Sequence, residues 1–550
     1  MGEDAAHTVM DVLRGYGHNA FLKKTGREPS SVISGGSFIA WATWEWVAPS
    51  RGFVSGSSMV PSTREEAIAF LMKSINYEQQ VPKSASDSTY KLQTMRWLAN
   101  YFGDPHLRFP VIHIAGTKGK GSTANMIAQI LAESGARVGL YTSPHLHRLE
   151  ERIVVNGVPI DEDGLVSAVQ QLSQAVEVLQ SQLRDGDYSG NPPTFFELLT
   201  MAAWLHFARQ SVDVAVVEVG LGGRLDSTNI CQPQLGVITS ISHDHMQQLG
   251  HRLSQIATEK AGIIKPGMSI VSGVDTPEAA AVIRQRAQEV GAKLFVLGED
   301  FQLGSAREDS TPNETGASSA DAAGEFRWLT SSLATAEKSQ PISGLKVGLR
   351  GRHQVRNAGL ATAACLLFEE LGRAVTSSSI RQGLLNARPA GRIEVISGSV
   401  PLVVDVAHNP AAIQALVDTL SEQRQSYRKI RVVLGISEDK DAEKILQPLL
   451  SFVDVLILTA FQDNPRAVEP EKLLEIAQAQ AMQQSIEQSV EIRMLQDPQA
   501  VFAWLESTAD SRDLTVVTGS TFLVSEMRTG LQTWNHPGSE SESITTHALR

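Results

Sequence analysis

The sequence predicts an α/β protein: a larger N-terminal domain on a mostly parallel sheet, followed by a smaller, Rossmann-like α/β domain. Three observations carry this. Strand-type and helix-type segments alternate from about residue 109 to about 534. The strand segments, such as "VDVAVVEVG" and "VDVLILTA", are near-continuous apolar runs, as expected of parallel strands covered on both faces. The first of them runs into a Gly-rich loop that opens a helix.

In order, "MVPSTREEAIAFLMKSI" begins a helix with Ser62 or Thr63 as N-cap. Strand "FPVIHIAG" meets the Gly-rich loop, and helix "STANMIAQILAES" ends at Gly135. Strand "RVGLYTS" follows. Helix "TFFELLTMAAWLHFARQ" precedes strand "VDVAVVEVG", and strand "QLGVITSIS" leads through a His-rich loop to helix "LSQIATEKAGII". "MSIVSGV", helix "PEAAAVIRQRAQEVG" and "AKLFVLG" come next. Residues 303–340, rich in Ser, Ala, Asp, Gly and Thr, read as a flexible surface insertion. Helix "RNAGLATAACLLFEELG" (356–372) closes the first half, and 386–396 reads as an interdomain joint. A second alternating series, from "PLVVDVAH" to "LTVVTG", makes the smaller domain. The expected division is a poorly ordered extension (1–58), a first domain (59–390), a second (391–535) and a tail (536–550).

At 550 residues the chain exceeds one ordinary core. A hydrophobic content of 42% and a charged content of 20% fit a globular protein. The net charge of −12 argues against a general nucleic-acid or anionic-membrane binder. Cys231 and Cys365 make neither a disulfide framework nor a zinc site and suit a reducing cytoplasm. The most apolar early segment, 37–50, is short and carries Glu45; no run reaches the ~20 apolar residues of a membrane span. The expectation is a cytoplasmic monomer acting on small molecules, with no nucleic-acid or membrane partner.

"HIAGTKGKGST", His113 to Thr123, resembles a phosphate loop but fails the usual count, G-x-x-x-x-G-K-[ST]. If Lys120 is the phosphate lysine, Ile114 stands at the first glycine and Gly121 in the Ser/Thr slot. Its placement is nevertheless that of an anion cradle, because glycines bare the backbone N–H groups at a helix N-terminus. Lys120 can neutralise phosphate charge, and Ser122 or Thr123 can meet a magnesium ion. Three further segments emerge from strand ends: Ser143 in "YTSPHLHRLEERI", Glu218 in "VVEVGLGGRLDSTN", and His243, Asp244 and His245 in "SISHDHMQQLGH". One histidine alone is ordinarily a loop or capping residue. Oxygen and nitrogen donors from one sheet edge instead suggest a hard-cation site. Lys260, apolar-flanked on a helix, reads either as a snorkelling surface lysine or as a buried one with a lowered pKa or a modification.

These segments, with "TFFELLT", "EKAGIIK", "GRHQVRNA", "RPAGRIE", "DVAHNP" and "VTGSTFLVSE", together resemble the folylpolyglutamate synthase/dihydrofolate synthase family, relatives of the Mur cell-wall ligases, over about 60–535. The resemblance implies a shortened P-loop, G-T-x-G-K-G-[ST], formed by Gly116, Gly119, Lys120, Gly121 and Ser122, with Lys120 on phosphate. It implies magnesium ligands at Ser143 and Glu218 for one ion and at His245 for a second. Lys260 matches a lysine carbamylated in relatives. Further ATP contacts carry over to Asn357, Arg392 and Asp405, with His408 nearby. Pterin contacts carry over to Thr194, Phe195, Phe196 and Glu197, and to Leu225, Asp226 and Ser227. Lys118 receives no role.

The implied activity is ATP-dependent addition of L-glutamate to dihydropteroate and to reduced folates through an acyl phosphate. The "DVAHNP" and "RLDSTN" forms point to the bifunctional bacterial type. The alternatives are a monofunctional synthase and a Mur-type peptide ligase, which would need a dedicated N-terminal substrate domain. A non-catalytic P-loop switch would not need Glu218, His245, Lys260 and Arg392 together.

Overall fold

A computed structural model describes residues 60–77, 92–305, 324–329, 340–368, 374–462, 464–486 and 489–535. The expected extension at 1–58 and tail at 536–550 lie outside the described residues. The helix Arg64–Met72 starts where Thr63 and Glu66 cap one another reciprocally.

The first sheet contains β1 (Val111–Ala115), β2 (Val138–Tyr141), β3 (Ile153–Val155), β4 (Val158–Pro159), β5 (Val214–Glu218), β6 (Leu235–Ile238), β7 (Ser269–Ser272) and β8 (Lys293–Val296). Its order is β4-β3-β2-β5-β1-β6-β7-β8. The β3 and β4 pairings are antiparallel and the others parallel. The central strand β1 shows why its sequence is apolar throughout. Ile112 and Ile114 pack in one core with residues of helices Lys120–Glu133 and Arg352–Leu367, while Val111 and Ala115 enter the cores on the opposite face.

The expectation of a flexible insertion over 303–340 is partly corrected. β9 (Phe301–Ser305), β10 (Gly324–Trp328) and β11 (Ile342–Leu345) form an antiparallel sheet, with Phe326 buried. The aromatic alternation of "EFRWL" is a strand pattern that the small-residue composition around it obscures. Residues 306–323 and 330–339 lie outside the described set. The helix expected at 356–372 runs instead over Arg352–Leu367, four residues earlier, because it starts directly after Gly351.

The third sheet contains β12 (Glu394–Ile396), β13 (Leu402–Val404), β14 (Ile430–Leu434), β15 (Val455–Leu458), β16 (Glu491–Met494) and β17 (Leu514–Thr518). Its order is β12-β13-β17-β14-β15-β16, parallel except for β12. Among the described residues, no helix is long and apolar enough to cross a membrane.

Candidate active site

Because β1, β2, β5 and β6 are parallel neighbours, their carboxyl ends open on one edge of the first sheet. This delivers the Gly-rich loop, Ser143, Glu218 and the His243–His245 segment to the same side, where open α/β sheets bind ligands. The loop requires its glycines. Gly116 has φ +149, and a Cβ there would lie 1.9 Å from Thr239 Oγ1. Gly119 has φ +82, and its Cβ would lie 2.4 Å from Asn357 Oδ1. Gly119 is the N-cap of the helix, so Lys120 is its first residue, two positions before the expected start. Ser122 is buried in the first turn. The segment after β6 braces the loop: Thr117 N donates to Ser240 O (2.7 Å) and Thr239 Oγ1 to Lys118 O (2.6 Å).

Glu218 sits at the end of β5, 5% exposed, with Oε2 accepting from Ser143 N at 3.2 Å. The same oxygen lies 3.2 Å from where a Gly121 Cβ would be, so the carboxylate rests against the first helical turn. Burial raises its pKa; Lys120, Ser143 N–H and Arg392 oppose the rise. Among the described residues no ion pair neutralises it. A buried carboxylate beside a serine at a phosphate loop fits magnesium, which keeps waters and takes one or two carboxylates plus substrate phosphates. Among the described residues no three His, Cys, Asp or Glu side chains group closely enough to hold a metal alone.

Lys260 is buried, not snorkelling. Its Nζ donates to Gly116 O at 2.8 Å, so it is tied to the root of the loop. Burial, reinforced by Lys120, lowers its pKa to about 7. Half of such amines are neutral near that pH, the form that adds carbon dioxide. His245 caps a short helix with φ +48, its side chain 44% exposed. Its pKa falls to about 4 through desolvation, with Lys440, Lys120 and Lys118 adding to the fall against Asp244. An imidazole kept neutral can ligate a cation.

The third sheet brings its own charges. Asp405 is buried, Oδ2 accepting from Ile393 N (2.7 Å) and Oδ1 from Ala407 N (2.8 Å). Ile393 has φ +45, a left-handed conformation that a β-branched residue adopts only under constraint. Asp405 holds the N–H of this residue, and so anchors the backbone next to Arg392. Arg392 lowers the pKa of Glu218 and of Asp405, so its charge reaches both sheets. His408 donates Nδ1–H to Val406 O at 2.8 Å. Burial, then Lys118 and Lys440, push its pKa down to about 3. Asn357 donates to Gln354 Oε1 (2.9 Å) beside Gly119.

The two segments expected to contact a pterin turn inward to differing degrees. Thr194 and Glu197 form a capping box on the helix Phe195–Arg209, so their polar atoms face each other. Phe195 is buried beneath the Arg152 guanidinium. Phe196 abuts Gly220, where an added Cβ would lie 2.5 Å from its ring. Asp226 accepts from Leu221 N (2.8 Å) and from Thr228 N (3.0 Å), organising the loop that carries Leu225 and Ser227.

Known proteins resemble this chain in sequence and fold. The Mur ligase middle domain matches residues 164–365, and the Mur ligase glutamate ligase domain matches 391–521. A dihydrofolate synthase/folylpolyglutamate synthase of Bacillus subtilis is 35% identical over 443 residues, covering 80% of this chain and 95% of that protein. The chain belongs to the folylpolyglutamate synthase/dihydrofolate synthase family. Two solved members superpose over most of their length. Mycobacterium tuberculosis folylpolyglutamate synthase complexed with ADP has a TM-score of 0.70 at 28% identity, covering 84% of this chain and 98% of that one. Escherichia coli FolC in complex with DHPP and ADP has a TM-score of 0.68 at 26% identity, covering 87% and 100%. As members of this family, both the fold and the ATP-dependent ligase class of the chain are set.

Sequence reasoning named Asp244 and left Lys118 without a role, but it missed what they meet and missed the charged loops of the third sheet. Asp244 binds Lys118 (Nζ to Oδ2, 2.9 Å) and approaches Lys440 of the loop after β14. Asp439, Lys440 and Arg466 all leave the carboxyl ends of the third sheet's strands. The charged run "SEDKDAEK" directly after an apolar strand was the available signal.

Proposed function

We propose that the protein joins L-glutamate to dihydropteroate, and to reduced folates, using ATP and passing through an acyl phosphate. The observation that supports this reading most is the convergence of Lys120, Glu218, Lys260 and Arg392 on a loop whose glycines bare its backbone N–H groups. A substrate carboxylate attacking the γ-phosphorus of ATP meets like charge. Lys120 from one side and Arg392 from the other supply the compensating positive charge, and the N–H groups of the loop hold the phosphates in line. ADP leaves; the glutamate amine then adds to the activated carbonyl, and phosphate departs as the amide forms. Ser143 and Glu218 would hold one magnesium ion, and His245 with carbamylated Lys260 a second. When bound, magnesium supplies Lewis-acid charge neutralisation at the phosphates. Phe196 and the Leu225–Ser227 loop are the surfaces assigned to the pterin. We assign the chain as a monomer of the cytoplasm with no nucleic-acid or membrane partner.

The test is phosphate release with ATP, magnesium and L-glutamate, run separately with dihydropteroate and with tetrahydrofolate. Turnover with both is expected; turnover with one alone makes the enzyme monofunctional. Lys120→Ala should abolish both while circular dichroism is unchanged, and retained turnover would remove Lys120 from phosphate.

A further inference from the structure

Lys118 is the loop lysine to which the reaction gives no task. Its backbone is already spent on the brace: N donates to Ser240 Oγ (3.1 Å), and its carbonyl accepts from Thr239 Oγ1 (2.6 Å). Its ammonium leaves the loop and ends on Asp244 Oδ2 at 2.9 Å. The other oxygen of Asp244 accepts from His245 N (3.0 Å) and lies 3.9 Å from Lys440 Nζ. Lys440 in turn contacts Asp439 (2.9 Å), and Asp439 contacts Arg466. The chain of charges alternates in sign from the phosphate loop to the carboxyl ends of β14 and β15. Lys440 and Asp244 are only 14% and 13% exposed, so water screens this contact less than a surface pair. The loop after β14 is itself anchored, since Glu438 N donates to Arg466 O (2.8 Å) and residues Ser437 and Ala467 form a β-bridge. Lys440 is therefore presented by a held backbone, not by a free tip.

We infer that Lys118 is a positioning residue that holds Asp244 in place on the phosphate-loop side, where Asp244 meets Lys440 of the third sheet. It does not bind phosphate. Resting on the ligase reading above, the latch sets the distance between the two halves of the site: the loop that holds ATP, and the strand ends of the third sheet, with Arg392 and His408. Losing it lets the sheets separate, which slows the joining step without weakening nucleotide binding.

The test combines a double-mutant cycle with a distance measurement. Lys118→Met, Lys440→Met and the double variant are assayed for kcat, for the KM of ATP and of glutamate, and for binding of a fluorescent ATP analogue. Each single variant should lose about tenfold in kcat or in the KM for glutamate. Affinity for the analogue should stay within about threefold. The double variant should be little worse than either single one, because the two residues share one carboxylate. Lys118→Arg should restore most of the loss. An affinity drop of tenfold or more in Lys118→Met, or effects that simply multiply in the double variant, overturns the latch and makes Lys118 a phosphate contact. Spin labels on Gln288→Cys and on the exposed Met482→Cys report separation of the sheets directly, since Cys231 and Cys365 are buried. A broader distance distribution in Lys118→Met supports the latch; an unchanged one overturns it. The distance arm needs no turnover, so a wild-type protein inactive with both acceptors would defeat the ligase reading alone.

Discussion

Replacing Gly119 by alanine tests the architecture of the loop with one methyl group. The new Cβ would lie 2.4 Å from Asn357 Oδ1, 3.0 Å from its Cγ and 3.1 Å from its Nδ2. Ordinary contact begins near 3.4 Å, so the Asn357 amide must retreat by about 1 Å. Its helix backbone is packed, so the retreat is made by rotating the side chain off its minimum, at roughly 0.5–1.5 kcal/mol. Alanine at φ +82 adds ~1–2 kcal/mol. The expected loss of stability is therefore roughly 1.5–3.5 kcal/mol, read by urea unfolding. Asn357 is one of the residues the family resemblance assigns to ATP, and a shift of ~1 Å there predicts about a hundredfold loss of kcat/KM for ATP in the phosphate-release assay. The Asn357→Ala background separates the two causes. There the clash is gone, and Gly119→Ala should cost only the ~1–2 kcal/mol of backbone strain. If Gly119→Ala is as active as wild type, or costs the same with and without Asn357, the packing described for this loop is wrong.

Two further predictions concern buried ionisable groups. Burial holds the Glu218 pKa above its ordinary value, so the folded state binds its proton more tightly than the unfolded chain does. Stability therefore falls as pH rises from the ordinary carboxylate pKa toward the raised one, and the cost is complete above it. Glu218→Gln should unfold at a higher temperature than wild type at neutral pH in EDTA while losing magnesium-dependent turnover; a lower melting temperature would show that the carboxylate is better compensated than its contacts indicate. Lys260, with a pKa lowered to about 7, should take up 13C-bicarbonate as a carbamate resonance that grows as pH is raised through 7 and vanishes in Lys260→Arg. A resonance that persists in Lys260→Arg assigns the adduct elsewhere, and none at all leaves Lys260 as a plain amine on Gly116 O.

What the sequence made legible, and what it hid, divides along contact range. Local patterns were readable: the Thr63 cap, the apolar run of β1 and the glycines before a helix are each written within a few residues. The parallel order of strands then fixed which loops meet, because every carboxyl end opens the same way. Which atoms meet was not local. Lys260 lies 144 residues from the carbonyl it binds, and Lys118 lies 126 from Asp244. Its burial was invisible for that reason, since apolar flanks serve a snorkelling lysine equally well. Thr194 and Glu197 show the converse, a local signal that the pterin reading passed over. Their T-x-x-E spacing before an apolar run is a capping signature. The structure spends their polar atoms on that cap.

The two lysines of "GTKGKGST" show how small the deciding feature can be. They share a charge, a loop and the same glycine between them, and pattern alone ranks them only by a count that the loop already breaks. The separation comes at Gly119, whose φ of +82 puts a left-handed residue between them. Lys120 begins the helix on the far side of that turn, at the end where backbone N–H groups accumulate and anions are favoured. Lys118 precedes it, with its backbone fastened to Thr239 and Ser240 and its ammonium committed to Asp244. A residue with a Cβ at position 119 could not make this turn beside Asn357 without strain. The glycine that bares the cradle is thus also what puts one lysine on the helix N-terminus, the side we propose for the nucleotide, and leaves the other to Asp244.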